Sequence, residues 1–173
     1  MPPAPNHQLF ILRHAKSSWD EPGLQDHDRP LAPRGRRAAK LMAAHLRSED
    51  IHPALILCSS ARRARETLER TVPVPAEVQI DRGLYGATAD ELIERLRHVP
   101  ATTRSVMVIG HNPALHALAW TLAAPSPTGR AAGLDALREK FPTGALATLT
   151  MTCSWHGLGR GCAELTGFVR PGI

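Results

Sequence analysis

Short apolar runs alternate with amphipathic stretches along most of this chain. A continuous apolar run bounded by polar residues is typical of a strand buried on both faces of a sheet. Apolar positions that recur every three or four residues predict a helix instead. The pattern predicts strands at Leu9–Arg13, Leu55–Cys58 and Ser105–Ile109, a short strand that ends with Val78 and Ile80, and helices at Pro33–Ser48, Ala61–Val72, Asp90–Arg97 and Pro113–Ala123.

Two later runs, ALATLTM (145–151) and CAELTGFV (162–169), alternate apolar and polar positions one by one. They predict antiparallel strands at the edge of the sheet. The segment 124–140 is mixed and is punctuated by Pro125, Pro127 and Gly129. The predicted fold is a three-layer α/β/α sandwich with a mostly parallel central sheet. We expect a single domain over residues 1–173, with no cap insertion.

The helical periodicity also predicts which side chains are buried. Ala38, Leu41, Met42 and His45 share one face of the first helix, and Trp120 is expected in the core. Between the first strand and the first helix lies a loop of about 19 residues, which is long for such a connection. Loops of this length in compact domains are commonly functional or disordered.

Composition and charge narrow the classes of protein and partner. The 173 residues are 43% hydrophobic and 21% charged, as in a globular domain that buries a core. The net charge of +5 favours anionic partners: phosphorylated small molecules, phosphorylated proteins or nucleic acid. Only 4% of the residues are aromatic, and the basic clusters RGRR (34–37) and ARRAR (61–65) lack interleaved aromatics, which weakens a nucleic-acid interpretation.

The cysteines and the amino terminus bear on the compartment. Cys58, Cys153 and Cys162 are odd in number and have no C-x-x-C spacing, so neither a disulfide framework nor a zinc site is predicted. A reducing compartment is the simpler interpretation. The first residues lack the features of a signal peptide, and no stretch approaches a membrane span. We therefore expect a cytoplasmic protein without a membrane partner.

Arginines and histidines follow three of the predicted strands. Arg13 and His14 end the first strand, Ser59 and Arg63 follow the second, and His111 follows the fourth at the start of a helix. The carboxyl ends of parallel strands meet at one edge of a sheet, so these side chains are expected together. Guanidinium forks and helix N-termini suit phosphate oxygens. A cysteine phosphatase is not supported, because the Cys-x5-Arg spacing from Cys58 would require arginine where the chain has Ala64.

These motifs, in this order, resemble the histidine phosphatase superfamily. The likeness is greatest to its short branch, typified by the phosphohistidine phosphatase of bacterial phosphorelays, and it spans nearly the whole chain. It implies a phosphoglycerate mutase-like fold. It rests on Arg13-His14, on the Arg-Pro-Leu stretch in DHDRPLAPRG, on Ser59, Arg63 and Thr67 as Ser-x3-Arg-x3-Thr, and on His111 in Gly-His-Asn-Pro.

The resemblance implies a two-step phosphoryl transfer. Neutral His14 would attack phosphorus and form a phosphohistidine, which water then hydrolyses. Arg13, Arg63 and His111 would stabilise the equatorial oxygens, and Arg29 would reach the phosphate. The two arginines beside His14 should lower the pKa of its imidazole. No metal and no cofactor are expected, and the remaining histidines have no convincing ligand spacing.

The proton donor is the least defined part of the predicted site. Larger members of the superfamily carry a carboxylic acid after the third strand, and here Asp81 and Asp90 are the candidates. Asp81, the preferred one, is equally compatible with a turn residue, and Asp90 with a helix N-terminal charge. Ser17 and Asn112 complete the candidate phosphate-binding residues.

The substrate follows only by analogy with the family. A chain this short leaves little room for a cap over the site, and an open site suits a protein substrate. We therefore expect phosphohistidine on a histidine-containing phosphotransfer domain as the substrate. The alternatives are a phosphatase of small phosphate esters and a non-catalytic module that binds phosphate or a phosphopeptide. Nucleic acid is the least favoured partner, and we expect none.

Overall fold

Six strands and five helices make up the part of the chain described by the computed structural model, residues 6–72, 76–125 and 131–172. Two 3-10 turns, Asp26–Asp28 and Arg82–Leu84, lie between these elements. The strands are β1 (Gln8–Arg13), β2 (Leu55–Ser59), β3 (Glu77–Asp81), β4 (Ser105–Gly110), β5 (Leu146–Met151) and β6 (Ala163–Val169). The helices are α1 (Pro33–Ser48), α2 (Arg62–Thr71), α3 (Ala89–Arg97), α4 (Ala114–Leu122) and α5 (Ala131–Glu139).

The strands form one sheet in the order β3-β2-β4-β1-β5-β6. The β1–β4, β2–β4 and β2–β3 pairs are parallel, and β5 and β6 add to the β1 side as antiparallel strands. The predicted mostly parallel sheet with an antiparallel edge is confirmed. Arg13 pairs with Gly110 and Cys58 with Ile109. The carboxyl ends of β1, β2 and β4 therefore lie side by side.

Alternate residues of the buried strands contribute to two hydrophobic cores, one on each face of the sheet. Leu9 and Ile11 of β1 belong to the core that includes apolar residues of α3, α4 and α5. Phe10 and Leu12 belong to the core that includes residues of α1 and α2. This alternation is what a strand period of two requires. The sheet is thus covered on both faces, and the predicted three-layer sandwich is confirmed.

Two predicted burials are wrong. Leu41 of α1 is 47% exposed, while Ala39 and Ala43 are buried, so the buried face is rotated relative to the predicted one. Small side chains let this helix pack closely, whereas the prediction gave more weight to large apolar residues. Trp120 is 45% exposed. Its helix, ALHALAWTL, is apolar nearly all round, so its sequence does not mark which side faces solvent.

The structure corrects two further expectations. Helix α5 lies in the segment that gave no clear element from sequence; Pro127 and Gly129 of that segment lie outside the described residues. Cys153 and Cys162 form a disulfide, with Cα atoms 6.0 Å apart. The prediction of unpaired cysteines is wrong for this pair, because β5 and β6 run antiparallel and bring the ends of their connecting loop together. The expectation of a reducing compartment rested on the absence of disulfides, so this disulfide removes its basis.

Cys58 is free and buried, as expected for a strand residue. Within the described ranges, no helix has both the length and the apolar character needed to cross a membrane.

Candidate active site

His14 is the first residue after β1, and two hydrogen bonds fix its position. Its backbone N–H donates to the carbonyl of Gly110 at 3.0 Å, which continues the pairing with β4 beyond the strand. Its ring Nδ1 lies 2.7 Å from the carbonyl oxygen of Ala15. A carbonyl oxygen only accepts, so Nδ1 carries the hydrogen and Nε2 carries the free lone pair. The tautomer therefore leaves Nε2 as the nucleophilic nitrogen.

The environment of His14 keeps its imidazole neutral. Burial lowers the pKa of His14 to about 3, because only 7% of the residue is exposed. The carbonyl of Ala15 acts in the opposite direction, and the charges of His111, Arg63 and Arg13 lower the pKa further. The predicted direction is confirmed, but burial has the larger effect and the arginines a smaller one. A neutral ring is the state required for nucleophilic attack.

His111 lies beside His14 at the end of the neighbouring strand. The two ring centroids are 5.1 Å apart, and His111 Nε2 lies 2.7 Å from Ser59 Oγ at the end of β2. Burial and then the charge of Arg63 lower the pKa of His111 to about 4. Ser59 also accepts a hydrogen bond from the backbone N–H of Ala61 at 3.2 Å, just before α2. Three strand ends are thereby connected around the histidine pair.

Arg13 and Asn112 are held by one backbone carbonyl. Arg13 Nη1 and Asn112 Nδ2 each donate to the carbonyl of Phe141, both at 2.9 Å. Asn112 Oδ1 accepts from the backbone N–H of His116 at 3.2 Å, in the first turn of α4, although the residue at the N-cap position of that helix is Pro113. The described contacts of Asn112 are therefore structural, and its predicted contact with phosphate stays a prediction.

Arg63 and Thr67 lie one turn apart on α2, both buried. Thr67 Oγ1 donates to the carbonyl of Arg63 at 2.7 Å and accepts from the backbone N–H of Ala15 at 3.0 Å. The second bond joins α2 to the segment that follows His14. The Ser-x3-Arg-x3-Thr spacing thus places an arginine and its supporting threonine on the helix beside the segment that follows β1.

Asp26, in the 3-10 turn of the long loop, is a site residue that the motifs do not single out. Arg63 donates twice to it, from Nη1 to the carbonyl at 2.7 Å and from Nη2 to Oδ2 at 3.0 Å. Arg29 Nε donates to Oδ1 at 3.2 Å, and the Tyr85 hydroxyl donates to Oδ2 at 2.5 Å. The Tyr85 hydrogen bond, together with the hydrogen bond and charge of Arg63 and the charge of Arg29, lowers the pKa of Asp26 to about 2 against the opposing effect of burial. The only signal in the sequence is an acid three residues before Arg29.

Arg29 and Ser17 lie in the same loop as Asp26. Arg29 is buried, its guanidinium carbon lies 3.5 Å from the centre of the Trp19 ring, and its Nη1 donates to the carbonyl of Ser18 at 3.3 Å. It therefore reaches the cluster through Asp26. Ser17 is also buried, and its backbone forms an isolated antiparallel bridge with Leu31. That bridge supports the loop, and a phosphate contact by Ser17 stays a prediction.

Neither candidate proton donor joins the cluster through a described contact. Asp81 Oδ1 accepts from the backbone N–H of Gly83 at 2.7 Å, and its Oδ2 lies 3.8 Å from Arg95 Nε. This is the turn-capping arrangement left open as the alternative for Asp81. Asp90 is exposed in the first turn of α3.

The cluster also carries unused hydrogen-bonding capacity. Arg13 Nε, Arg63 Nε and His111 Nδ1 are buried and have no hydrogen-bond partner among the described residues. Such groups are rare in folded proteins and require an explanation, of which a catalytic role is one. Over the described ranges, no group of three His, Cys, Asp or Glu side chains is arranged to hold a metal ion.

Comparison with known proteins agrees with this geometry. The profile of the Histidine phosphatase superfamily (branch 1) matches residues 9–86. The uncharacterised protein Rv1276c of Mycobacterium tuberculosis is 42% identical over 160 residues, covering 92% of this chain and 99% of that protein. The phosphohistidine phosphatase SixA of Escherichia coli is 30% identical over 161 residues, covering 87% of this chain and 89% of SixA.

Solved structures extend the likeness to the whole fold. A SixA-type protein from Nakamurella multipartitia superposes with a TM-score of 0.86 at 35% identity, and the match covers 99% of both chains. A second, from Agrobacterium tumefaciens, has a TM-score of 0.79 at 28% identity and covers 95% of this chain and 98% of the other. Together with the arrangement of His14, His111 and the arginines, these matches show that the chain belongs to the histidine phosphatase superfamily.

Proposed function

We propose that this chain is a metal-independent phosphatase that removes the phosphoryl group from phosphohistidine on a protein, with His14 as the nucleophile. The observation that carries the proposal is the state of His14. Its ring is buried and neutral, Nδ1 donates to the Ala15 carbonyl, and Nε2 is left to attack. His111 follows the neighbouring strand β4, and the buried Arg63 lies in the first turn of α2.

The reaction has two displacements at phosphorus. In the first, a bond forms between His14 Nε2 and phosphorus while the bond from phosphorus to the substrate imidazole breaks, and that imidazole takes a proton from solvent. In the second, a water oxygen bonds to phosphorus, its proton is released, and the bond to Nε2 breaks. Arg13, Arg63 and His111 stabilise the charge on the equatorial oxygens in both steps. Inorganic phosphate leaves, and His14 is regenerated.

The acids near the cluster favour a nitrogen leaving group. Asp26 is ionised at neutral pH because hydrogen bonds lower its pKa to about 2, and Asp81 caps a turn. An alkoxide leaving from a phosphate ester needs a positioned acid to protonate it. A histidine ring has a pKa of about 6.5, so the other ring nitrogen of phosphohistidine can take a proton from water and the ring then leaves as neutral imidazole. Phosphohistidine is therefore a better match to these residues than an alkyl phosphate ester.

The likeness to SixA supports the same substrate class, since the Escherichia coli relative carries the name phosphohistidine phosphatase. We take a histidine-containing phosphotransfer domain as the partner. A single domain without a cap, a cytoplasmic location, and the absence of nucleic-acid and membrane partners stay predictions.

The test is phosphate release from a phosphohistidine-bearing phosphotransfer domain, run beside an aryl phosphate in the presence of a chelator. We expect turnover of the protein substrate by the wild type and a loss of at least about a thousandfold in His14→Ala. His98→Ala is the matched control, because His98 is exposed and lies at the end of α3.

Three outcomes would count against the proposal. Cleavage of the aryl phosphate alone would retain the reaction class and reject the protein substrate. Turnover that requires added metal would reject metal independence. No turnover of either compound, with phosphate still bound, would favour a phosphate-binding module instead.

A further inference from the structure

We propose that Asp26 is a positioning residue, whose carboxylate and carbonyl hold Arg63 and Arg29 in the orientation that binds the phosphoryl group. The inference rests on the proposed function and names a residue to which the sequence motifs give no role, although Asp26 opens the stretch DHDRPLAPRG. Asp26 lies in a 3-10 turn in the second half of the loop between β1 and α1. It is the point at which the loop, α2 and the turn after β3 meet.

The contacts of Asp26 fix the direction of both guanidinium groups. Arg63 makes two hydrogen bonds to this residue, at 2.7 Å to the carbonyl and 3.0 Å to Oδ2. A planar guanidinium held at both terminal nitrogens cannot rotate freely. Arg29 is held at Nε by Oδ1, at Nη1 by the Ser18 carbonyl, and across its face by the Trp19 ring.

Binding to Asp26 does not exhaust the donors of either arginine. A guanidinium has five N–H groups in a fixed fork. Asp26 accepts two from Arg63 and one from Arg29, so each arginine retains N–H groups for a second acceptor. A phosphoryl group can therefore bind both arginines while Asp26 stays in place, as a positioning role requires.

Charge balance gives Asp26 a second effect on the same arginines. Arg63 is close enough to Arg13 to lower the pKa of that guanidinium, after the larger effect of burial. Like charges held together favour side-chain conformations that separate them. The Asp26 carboxylate lies between Arg29 and Arg63 and offsets their repulsion, and the Tyr85 hydroxyl fixes the carboxylate in turn.

A competing interpretation of Asp26 predicts the opposite change in oxyanion affinity when its carboxylate is removed. If the carboxylate occupied the phosphate position itself, its removal would vacate that position and oxyanions would bind more tightly. Simple charge counting also predicts tighter anion binding when a negative charge is removed. A positioning residue predicts weaker binding, because the arginines lose their alignment. The sign of the change in oxyanion affinity therefore separates the two.

The experiment compares Asp26→Asn with Asp28→Asn. Both residues lie in the same 3-10 turn, but the side chain of Asp28 has one described contact, with His27 at 3.4 Å. Tungstate binding is measured by calorimetry, and turnover of the phosphohistidine protein by steady-state kinetics. We expect Asp26→Asn to bind tungstate at least about tenfold more weakly and to lose at least about tenfold in kcat, with a smaller change in KM. Asp28→Asn should stay within about twofold of wild type in both.

Tyr85→Phe is a second variant that tests the proposal if Asp26→Asn does not fold. It removes only the hydroxyl that binds Asp26 and keeps the ring that stands edge-on to His111. We expect a smaller fall in tungstate affinity in the same direction, at unchanged circular dichroism. Tungstate affinity equal to or above that of Asp28→Asn, in either variant, overturns the proposal. If the wild type binds tungstate but releases no phosphate, the proposed function fails, while the tungstate series still decides the role of Asp26.

Discussion

At the scale of single residues, burial keeps His14 uncharged, and this lowers the free energy of unfolding at acid pH. The pKa of His14 is about 3 in the folded chain and 6.5 for an unperturbed histidine. The unfolded chain therefore takes up a proton at a pH where the folded chain does not. The contribution to stability is fully present above pH 6.5 and is lost as the pH falls toward the folded pKa.

This linkage predicts the pH dependence of unfolding. Between neutral pH and about pH 5, protonation of the unfolded His14 should remove about 2 kcal/mol from the free energy of unfolding. In His14→Asn this loss of about 2 kcal/mol should disappear. In His98→Asn, a change at an exposed histidine, the free energy of unfolding should depend on pH as it does in the wild type. Urea titrations at a series of pH values measure the difference. Parallel pH profiles for wild type and His14→Asn would show that His14 is not buried as a neutral ring.

At the level of elements, the position of His14 depends on how closely α1 approaches the segment after β1. The Lys16 carbonyl accepts from the backbone N–H of Ala32 at 2.9 Å, just before α1 begins. A Cβ on Gly35 would lie 2.1 Å from that same carbonyl oxygen. Real Cβ atoms do not come so close, so this helix can pack here only because residue 35 has no side chain.

Gly35→Ala should therefore destabilise the protein, although alanine usually stabilises a helix relative to glycine by up to about 1 kcal/mol. We expect a loss of about 2–3 kcal/mol in urea unfolding, as for overpacking against rigid backbone. Turnover should fall too, because Lys16 is two residues from His14. Gly23→Ala, in the loop between β1 and α1 and with nothing within 4 Å of the added Cβ, is the control. A stabilised Gly35→Ala would contradict this account of the packing.

The elements also show how far the sequence predicts the site. Apolar runs place the ends of β1 and β4, so Arg13, His14 and His111 follow from local patterns together with the parallel-sheet rule. The Asp26 contacts could not be predicted in that way. They join three elements that are distant in sequence: the loop after β1, helix α2 and the turn after β3. The close approach of Gly35 in α1 to the Lys16 backbone could not be predicted for a related reason, since only the tertiary structure brings the two segments together.

At the scale of the whole molecule, one basic cluster lies near the site, and a second, which includes Arg47, lies along α1. Lys16, Arg34, Lys140 and Arg170 line a cavity of about 290 Å³. Lys140 precedes Phe141, whose carbonyl holds Arg13. An acidic protein surface approaching His14 would meet this group of charges, whereas an uncharged aryl ring would not. Charges of one sign around a site raise the association rate of an oppositely charged protein, and salt weakens the effect.

If the substrate is an acidic phosphoprotein, Lys140→Glu and Arg170→Glu should lower its kcat/KM by about tenfold at low salt, with little change for an aryl phosphate. Arg47→Glu is the matched control, because it makes the same charge change in the last turn of α1. Arg47 lies 13 positions after Arg34 on the helix, which is about 20 Å along its axis. Raising the salt should bring the wild type and the two variants together. Equal losses in Arg47→Glu would mean that net charge alone attracts the partner, and losses with the aryl phosphate would place Lys140 and Arg170 in the phosphate site itself.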